Sequence, residues 1–123
     1  MRGQRLFVRP IDPADHDAVR HFLGYVPSCG LLGKLVGDLV AVLAMEITDD
    51  GLRIDDLVVA RDLRRKRIGR FMLDEAGAVA AKLDRGLLIV DGDRLVAERA
   101  EAGEFLLHVG FFPEGERFVR RVI

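Results

Sequence analysis

The stretch Val58-Val59-Ala60-Arg61-Asp62-Leu63-Arg64-Arg65-Lys66-Arg67-Ile68-Gly69-Arg70-Phe71-Met72-Leu73 decides the fold, because in it an apolar strand runs into a basic turn and straight on into an amphipathic helix. The first backbone N–H groups of a helix have no intrahelical partner, and the helix dipole adds positive potential at the same end. Such a start therefore stabilises an anion before any side chain contributes. Arg61, Arg64, Arg65, Lys66, Arg67 and Arg70 crowd the turn. Like charges packed this closely repel one another unless they are solvated or face an anion, and a diphosphate is the natural candidate. The plainer reading is one solvated basic helix start on an ordinary domain.

Outward from this turn the chain alternates strands and helices. A first strand is expected at 6–9. Pro13 then opens a helix reaching Leu23, with Asp12 as its cap, Asp15 and Asp17 in its first turn, and Gly24 and Pro27 ending it. Apolar runs at 31–36, 39–47 and 52–59 are separated by Gly37-Asp38 and Asp49-Asp50-Gly51, turn signals that join antiparallel strands. A helix is expected over 68–83, with Met72, Ala76, Val79, Ala80 and Leu83 on one face and Gly86 as its stop, followed by a buried strand at 87–90. The crossover between the strands on either side of that helix makes them parallel. Asp93 can cap a last helix running to His108, closed by Gly110, before Phe111-Phe112 and a strand at 117–122.

A chain of 123 residues, half of them hydrophobic, fills one core, so residues 1–123 are read as a single domain. A formal net charge of −1 does not suit a general nucleic-acid binder, whose surface is basic throughout; here the positive charge is local. No aromatic platforms for bases are interleaved with the arginines, so nucleic acid is not an expected partner. One cysteine, Cys29, allows no internal disulfide and fits the reducing cytoplasm. The start of the chain leads into no long apolar run, and no segment is apolar enough to span a membrane. Cys29 has no adjacent histidine or carboxylate to activate it. His16, His21 and His108 give no metal-binding spacing, and no metal is expected.

The order Leu57-Val58-Val59, then Arg64-x-x-Arg67-x-Gly69, then Leu73 resembles the acyl-CoA-binding signature of the GNAT superfamily of N-acetyltransferases, [RQ]-x-x-G-x-[GA] after a strand. Arg67 stands where that family carries its first glycine. The opening Val8-Arg9-Pro10-Ile11-Asp12-Pro13-Ala14-Asp15 is similar to the family's first strand and helix cap. Residues 104–115, with Gly110-Phe111, are similar to its closing helix and the strand beyond. The resemblance implies an α+β fold: a mixed, mostly antiparallel sheet with a parallel, splayed pair at the cleft, and helices on both faces.

It also implies acetyl-CoA as co-substrate. Leu57, Val58 and Val59 would hold the pantetheine arm by their backbone, and Arg64, Arg65, Lys66, Arg67, Ile68, Gly69 and Arg70 would hold the diphosphate. The family's reaction is direct attack of a neutral amine on the thioester, which needs a proton acceptor. The position that holds a glutamate base in some members falls here on Arg53. Asp55, sharing a face with Arg53, and Glu46 on the preceding strand are the candidates instead, with solvated edge charges as the plainer reading of both. The tyrosine that commonly protonates the leaving thiolate is replaced by Leu106, and the one tyrosine, Tyr25, follows the first helix. Only one full helix fits between Ile11 and Leu31, which suggests an open groove suited to a protein terminus, a lysine side chain or a large partner, or else no small-molecule acceptor at all. The expected partners are acetyl-CoA or CoA, an amine acceptor on a small molecule or a protein, and a second copy of the chain in a homodimer. An acetyl-CoA-dependent N-acetyltransferase is the leading expectation. A non-catalytic domain that senses CoA or acetyl-CoA and regulates a partner protein is the alternative.

Overall fold

The computed structural model describes residues 5–63, 67–91 and 99–122. Strand β1 (Leu6–Pro10) leads through a 3-10 turn at Pro13–Asp15 into α1 (His16–Leu23). Strands β2 (Gly30–Leu35), β3 (Asp38–Ile47) and β4 (Leu52–Val59) follow as a meander. Then come α2 (Ile68–Lys82), β5 (Leu87–Asp91), α3 (Arg99–His108), β6 (Phe112–Glu114) and β7 (Arg117–Arg121). The strands form one sheet in the order β1-β2-β3-β4-β5-β7-β6, antiparallel at every neighbouring pair except β4–β5. This is the mixed α+β architecture expected from the sequence.

Period-2 alternation along β3 divides the core into two layers. Ala41, Leu43 and Met45 face one side, where they pack with Leu52 and Ile54 of β4, Ile68, Met72, Leu73, Ala76 and Ala80 of α2, and Leu106 and Val109 of α3. Val42 faces the other side and packs with Leu32 and Val19 of α1. Helices therefore lie on both faces, and the α1 layer is much the thinner.

Local chemistry sets the element boundaries. Asp12 accepts a hydrogen bond from the Ala14 N–H at 2.9 Å, and the Asp12 N–H donates to the Asp15 carboxylate at 3.0 Å, a reciprocal cap that starts the first helical segment. Gly24, at φ +97°, ends α1 in the left-handed region that glycine enters without penalty. The end of α2 differs from expectation. The helix stops at Lys82 and the chain reverses at Asp84, φ +58°, two residues before Gly86, so Leu83 is 41% exposed rather than on the buried face. In the tail, Phe112–Glu114 forms the short strand that the resemblance of residues 104–115 implies, paired with β7. Asp93, expected to cap the last helix, lies outside the described residues.

Candidate functional site

Two irregularities in β4 build the site. The parallel register with β5 covers Leu52↔Leu88 and Arg53↔Ile89, while β4 continues beyond it to Val59. Past Arg53, the edge of β4 faces a gap instead of a β5 partner among the described residues. Against β3 the register also slips: Ala44 pairs with Asp56 and Met45 with Ile54, so Asp55 is an extra residue in a β-bulge. Regular period-2 alternation would send Asp55 and Asp56 to opposite faces, and the bulge cancels it. Arg53 donates from Nε to Asp55 Oδ1 at 2.8 Å and from Nη2 to Glu46 Oε2. Asp56 shares its face with Ala44, on the same side of the sheet as Glu46 and Arg53. Glu46, Arg53, Asp55 and Asp56 therefore gather on the α1 face of the sheet beside the gap.

Tyr25 joins them. It stands just after the α1 cap, and its hydroxyl donates to Asp56 Oδ2 across the sheet surface. Sequence reasoning left Tyr25 unplaced, because a contact between a loop and a strand 31 residues further on has no local signature. The Arg53 guanidinium is held above its ordinary value, first by its hydrogen bond to Asp55, with Asp55, Glu46 and Asp91 of β5 adding charge attraction.

At the far end of β4 a 3-10 turn at Arg61–Leu63 leads toward α2. Arg64, Arg65 and Lys66 lie outside the described residues. Arg67 occupies the N-cap of α2 at φ +65°, ψ 12°, with no side-chain cap. This backbone conformation explains why a glycine is usual there: only glycine enters it freely. The first turn of α2 contains no acidic residue, so nothing of its own neutralises the positive end of the dipole, and Arg61, Arg67 and Arg70 are exposed around it. The Ile68 side chain is buried in the core, which leaves its backbone as its contribution to a ligand. Gly69 packs against β4 and α3: a Cβ there would lie 3.4 Å from Phe105 Cζ and 3.7 Å from Leu57 Cδ2. Leu57, Val58 and Val59 are half-buried along the gap.

A strand that leaves its parallel neighbour, a bulge beside the departure and a basic, uncapped helix start downstream agree with the family that the sequence resembles. The acetyltransferase (GNAT) family model matches residues 4–100. The chain belongs to that family. No curated protein sequence matches it. Among solved structures, it is similar to the N-acetylglutamate synthase of Neisseria gonorrhoeae, complexed with coenzyme A and N-acetyl-glutamate, at TM-score 0.76 and 15% identity, over 97% of this chain and 35% of that one. It is similar to the ribosomal-protein-S18-alanine N-acetyltransferase of Escherichia coli at 0.73 and 14%, over 96% and 94%. It is also similar to a GNAT family N-acetyltransferase of Escherichia coli in complex with CoA, at 0.71 and 13%, over 100% and 84%. At these identities the likeness establishes the GNAT fold.

Besides Arg67, one further feature departs from the family pattern. Leu106, at the position of the usual tyrosine, is 5% exposed and part of the main core. Leu106 is therefore a packing residue, and the side chain that α3 presents to the start of α2 is Phe105. His108 is the exposed last residue of α3, where a basic group meets the negative end of the dipole. Cys29 packs against the core, and burial raises its thiol pKa, which disfavours the thiolate a nucleophile needs. Among the described residues no cluster of His, Cys, Asp or Glu is arranged to hold a metal ion, and no helix is long and apolar enough to cross a membrane.

Proposed function

We propose that this GNAT protein is an acetyl-CoA-dependent N-acetyltransferase of the reducing cytoplasm, moving an acetyl group to a primary amine on a small molecule or a protein. The observation that carries the reading is the uncapped, arginine-rich start of α2 placed directly after the strand that parts from β5. The diphosphate would sit on the N–H groups of Ile68, Gly69 and Arg70, with Arg64, Arg65, Lys66 and Arg67 supplying charge-assisted hydrogen bonds. The pantetheine arm would pair with the backbone of Leu57, Val58 and Val59 like an added strand. This directs the thioester toward the bulge.

The amine approaches from the α1 face, because α2, α3 and the main core cover the other side of β4. Its lone pair attacks the thioester carbonyl carbon, the C–S bond breaks with its electron pair going to sulfur, and the amine's proton passes to a carboxylate on that face. Asp55 and Glu46 are the choices the sequence supplies. A thiol with an ordinary pKa near 8.5 is a tolerable leaving group, so protonation by solvent replaces the missing tyrosine. Positioning supplies the remaining acceleration.

A second reading, a CoA or acetyl-CoA sensor that regulates a partner protein, is favoured by one observation: the core position of Leu106. Calorimetry with acetyl-CoA followed by thiol release across a panel of amines separates the two. Binding with turnover supports the enzyme, binding without turnover supports the sensor, and absence of binding overturns both. Replacing Arg64, Arg65 and Lys66 together by alanine should weaken CoA binding while sparing pantetheine fragments that lack the nucleotide and diphosphate.

A further inference from the structure

Arg53 holds both carboxylates that the sequence nominates for the proton, Asp55 by Nε and Glu46 by Nη2. A proton arriving at either must compete with the full positive charge of a guanidinium in hydrogen-bond contact, which favours the ionised carboxylate. Asp56, one residue further along β4, is different. Its partner on Oδ2 is the neutral Tyr25 hydroxyl. An ionised carboxylate offers about four acceptor positions, so Asp56 can keep the phenol and take a proton on its other oxygen. It adjoins Leu57, where the arm is proposed to pair, and it lies on the open α1 face.

We propose that Asp56 is the catalytic proton acceptor for the amine and that Tyr25 is the positioning residue that holds its carboxylate toward the gap. The pair rests on the acetyl-transfer reading above. The amine nitrogen bonds to the acetyl carbon, the C–S bond breaks, the proton lost by nitrogen goes to Asp56, and the thiolate takes a proton from water. Asp56 then returns its proton to solvent past Tyr25, which is 42% exposed. Among the described residues, the charged groups on this face beside the pair include Glu46 from β3 and Arg53 and Asp55 from β4, with Asp91 of β5 acting on Arg53. Tyr25 also reaches across from the segment between α1 and β2, the part of the chain left to shape the acceptor groove, so the same hydrogen bond anchors that segment to the reacting end of β4.

The chain contains one tyrosine and no tryptophan, so its near-ultraviolet emission reports Tyr25 alone. A carboxylate that accepts the phenol's hydrogen bond quenches this emission. Asp56→Asn should therefore raise Tyr25 fluorescence while leaving acetyl-CoA affinity, measured by calorimetry, within about twofold. With spermidine, lysine amide and an alanyl peptide as amines, Asp56→Asn should lower kcat by about 100-fold, the scale of general-base catalysis. It should also remove the part of the acidic limb of kcat that the amine's own ionisation does not explain. Asp56→Glu should recover part of the rate. Tyr25→Phe should lower kcat about tenfold and displace the limb without abolishing it, the mark of an indirect role. Wild-type turnover with an unchanged rate and limb in Asp56→Asn overturns the pair alone. Acetyl-CoA binding with no amine acetylated by the wild type overturns the pair and the acetyl-transfer reading together.

Discussion

Arg67 at φ +65° shows how a single residue records a compromise between backbone and ligand. The left-handed conformation costs an L-residue roughly 1–2 kcal/mol, and glycine escapes that cost while losing about 0.5–1 kcal/mol more chain entropy on folding. Arg67→Gly should therefore stabilise the fold by up to about 1 kcal/mol, read as a higher urea midpoint at unchanged slope. Its effect on CoA affinity should be small, because the closer backbone approach offsets the lost guanidinium contact. Asp15 is a second residue whose role is electrostatic. Arg9 grips it with two hydrogen bonds, at 2.6 and 2.8 Å, and together with the Asp12 N–H holds its carboxyl far below the usual carboxylate range. A carboxylate depressed in the folded state contributes stability that is fully present above its unfolded value and is lost as pH falls through the folded one. Asp15→Asn should thus lower the melting temperature at pH 7. The difference from wild type should begin to shrink as pH drops below about 4. Arg67 was legible as a departure from a motif, and Asp15 as a first-turn acid; the strained φ of one and the arginine grip on the other belong to the folded backbone.

At the scale of elements, the gap depends on where β4 and β5 stay together. Gly51 stands at that apex, and a Cβ there would lie 2.5 Å from the Leu87 carbonyl oxygen and 2.9 Å from Ile89 Cδ1. Backbone cannot yield as a flexible side chain can. Gly51→Ala should destabilise by about 1–3 kcal/mol, the usual cost of overpacking. It should also weaken acetyl-CoA binding by spreading the strands at the one place they pair, whereas Gly86→Ala, with open space around its Cβ position, should do neither. Calorimetry and urea titration on the two variants test this. The three strands of the meander, the helix after the basic turn and the buried strand beyond it were all legible in the sequence, because their apolar periods and turn residues are local. The bulge at Asp55 was not. It inserts a residue without any glycine or proline to mark it, and it reverses the face of every side chain counted through it.

For the molecule as a whole, net charge and function are separable. The chain carries a formal net charge of −1, yet the start of α2 concentrates positive charge at one end of the gap. Ligand binding there should stabilise the fold by mass action, about 2.7 kcal/mol at acetyl-CoA one hundredfold above its dissociation constant, or a rise in melting temperature on the order of 10 °C. Raising salt from about 0.01 to 1 M shortens the Debye length from roughly 30 to 3 Å. Thermal scans at a constant acetyl-CoA concentration should therefore show the shift shrinking with salt, while pantetheine, which lacks the diphosphate, shows little salt dependence. A shift indifferent to salt would place the ligand away from the arginine turn.

By itself the sequence determined the succession of elements and the basic helix start, since period, caps and charge act between near neighbours along the chain. Only the tertiary structure decided which polar groups meet. It set the register slip that brings Asp55 and Asp56 to one face, Arg53 between two carboxylates, Leu106 in the core, and Tyr25 on Asp56. Those meetings follow from how the strands pair and where a loop lands on the sheet. The energies that settle them act across space, between residues whose separation along the chain carries no record of the contact.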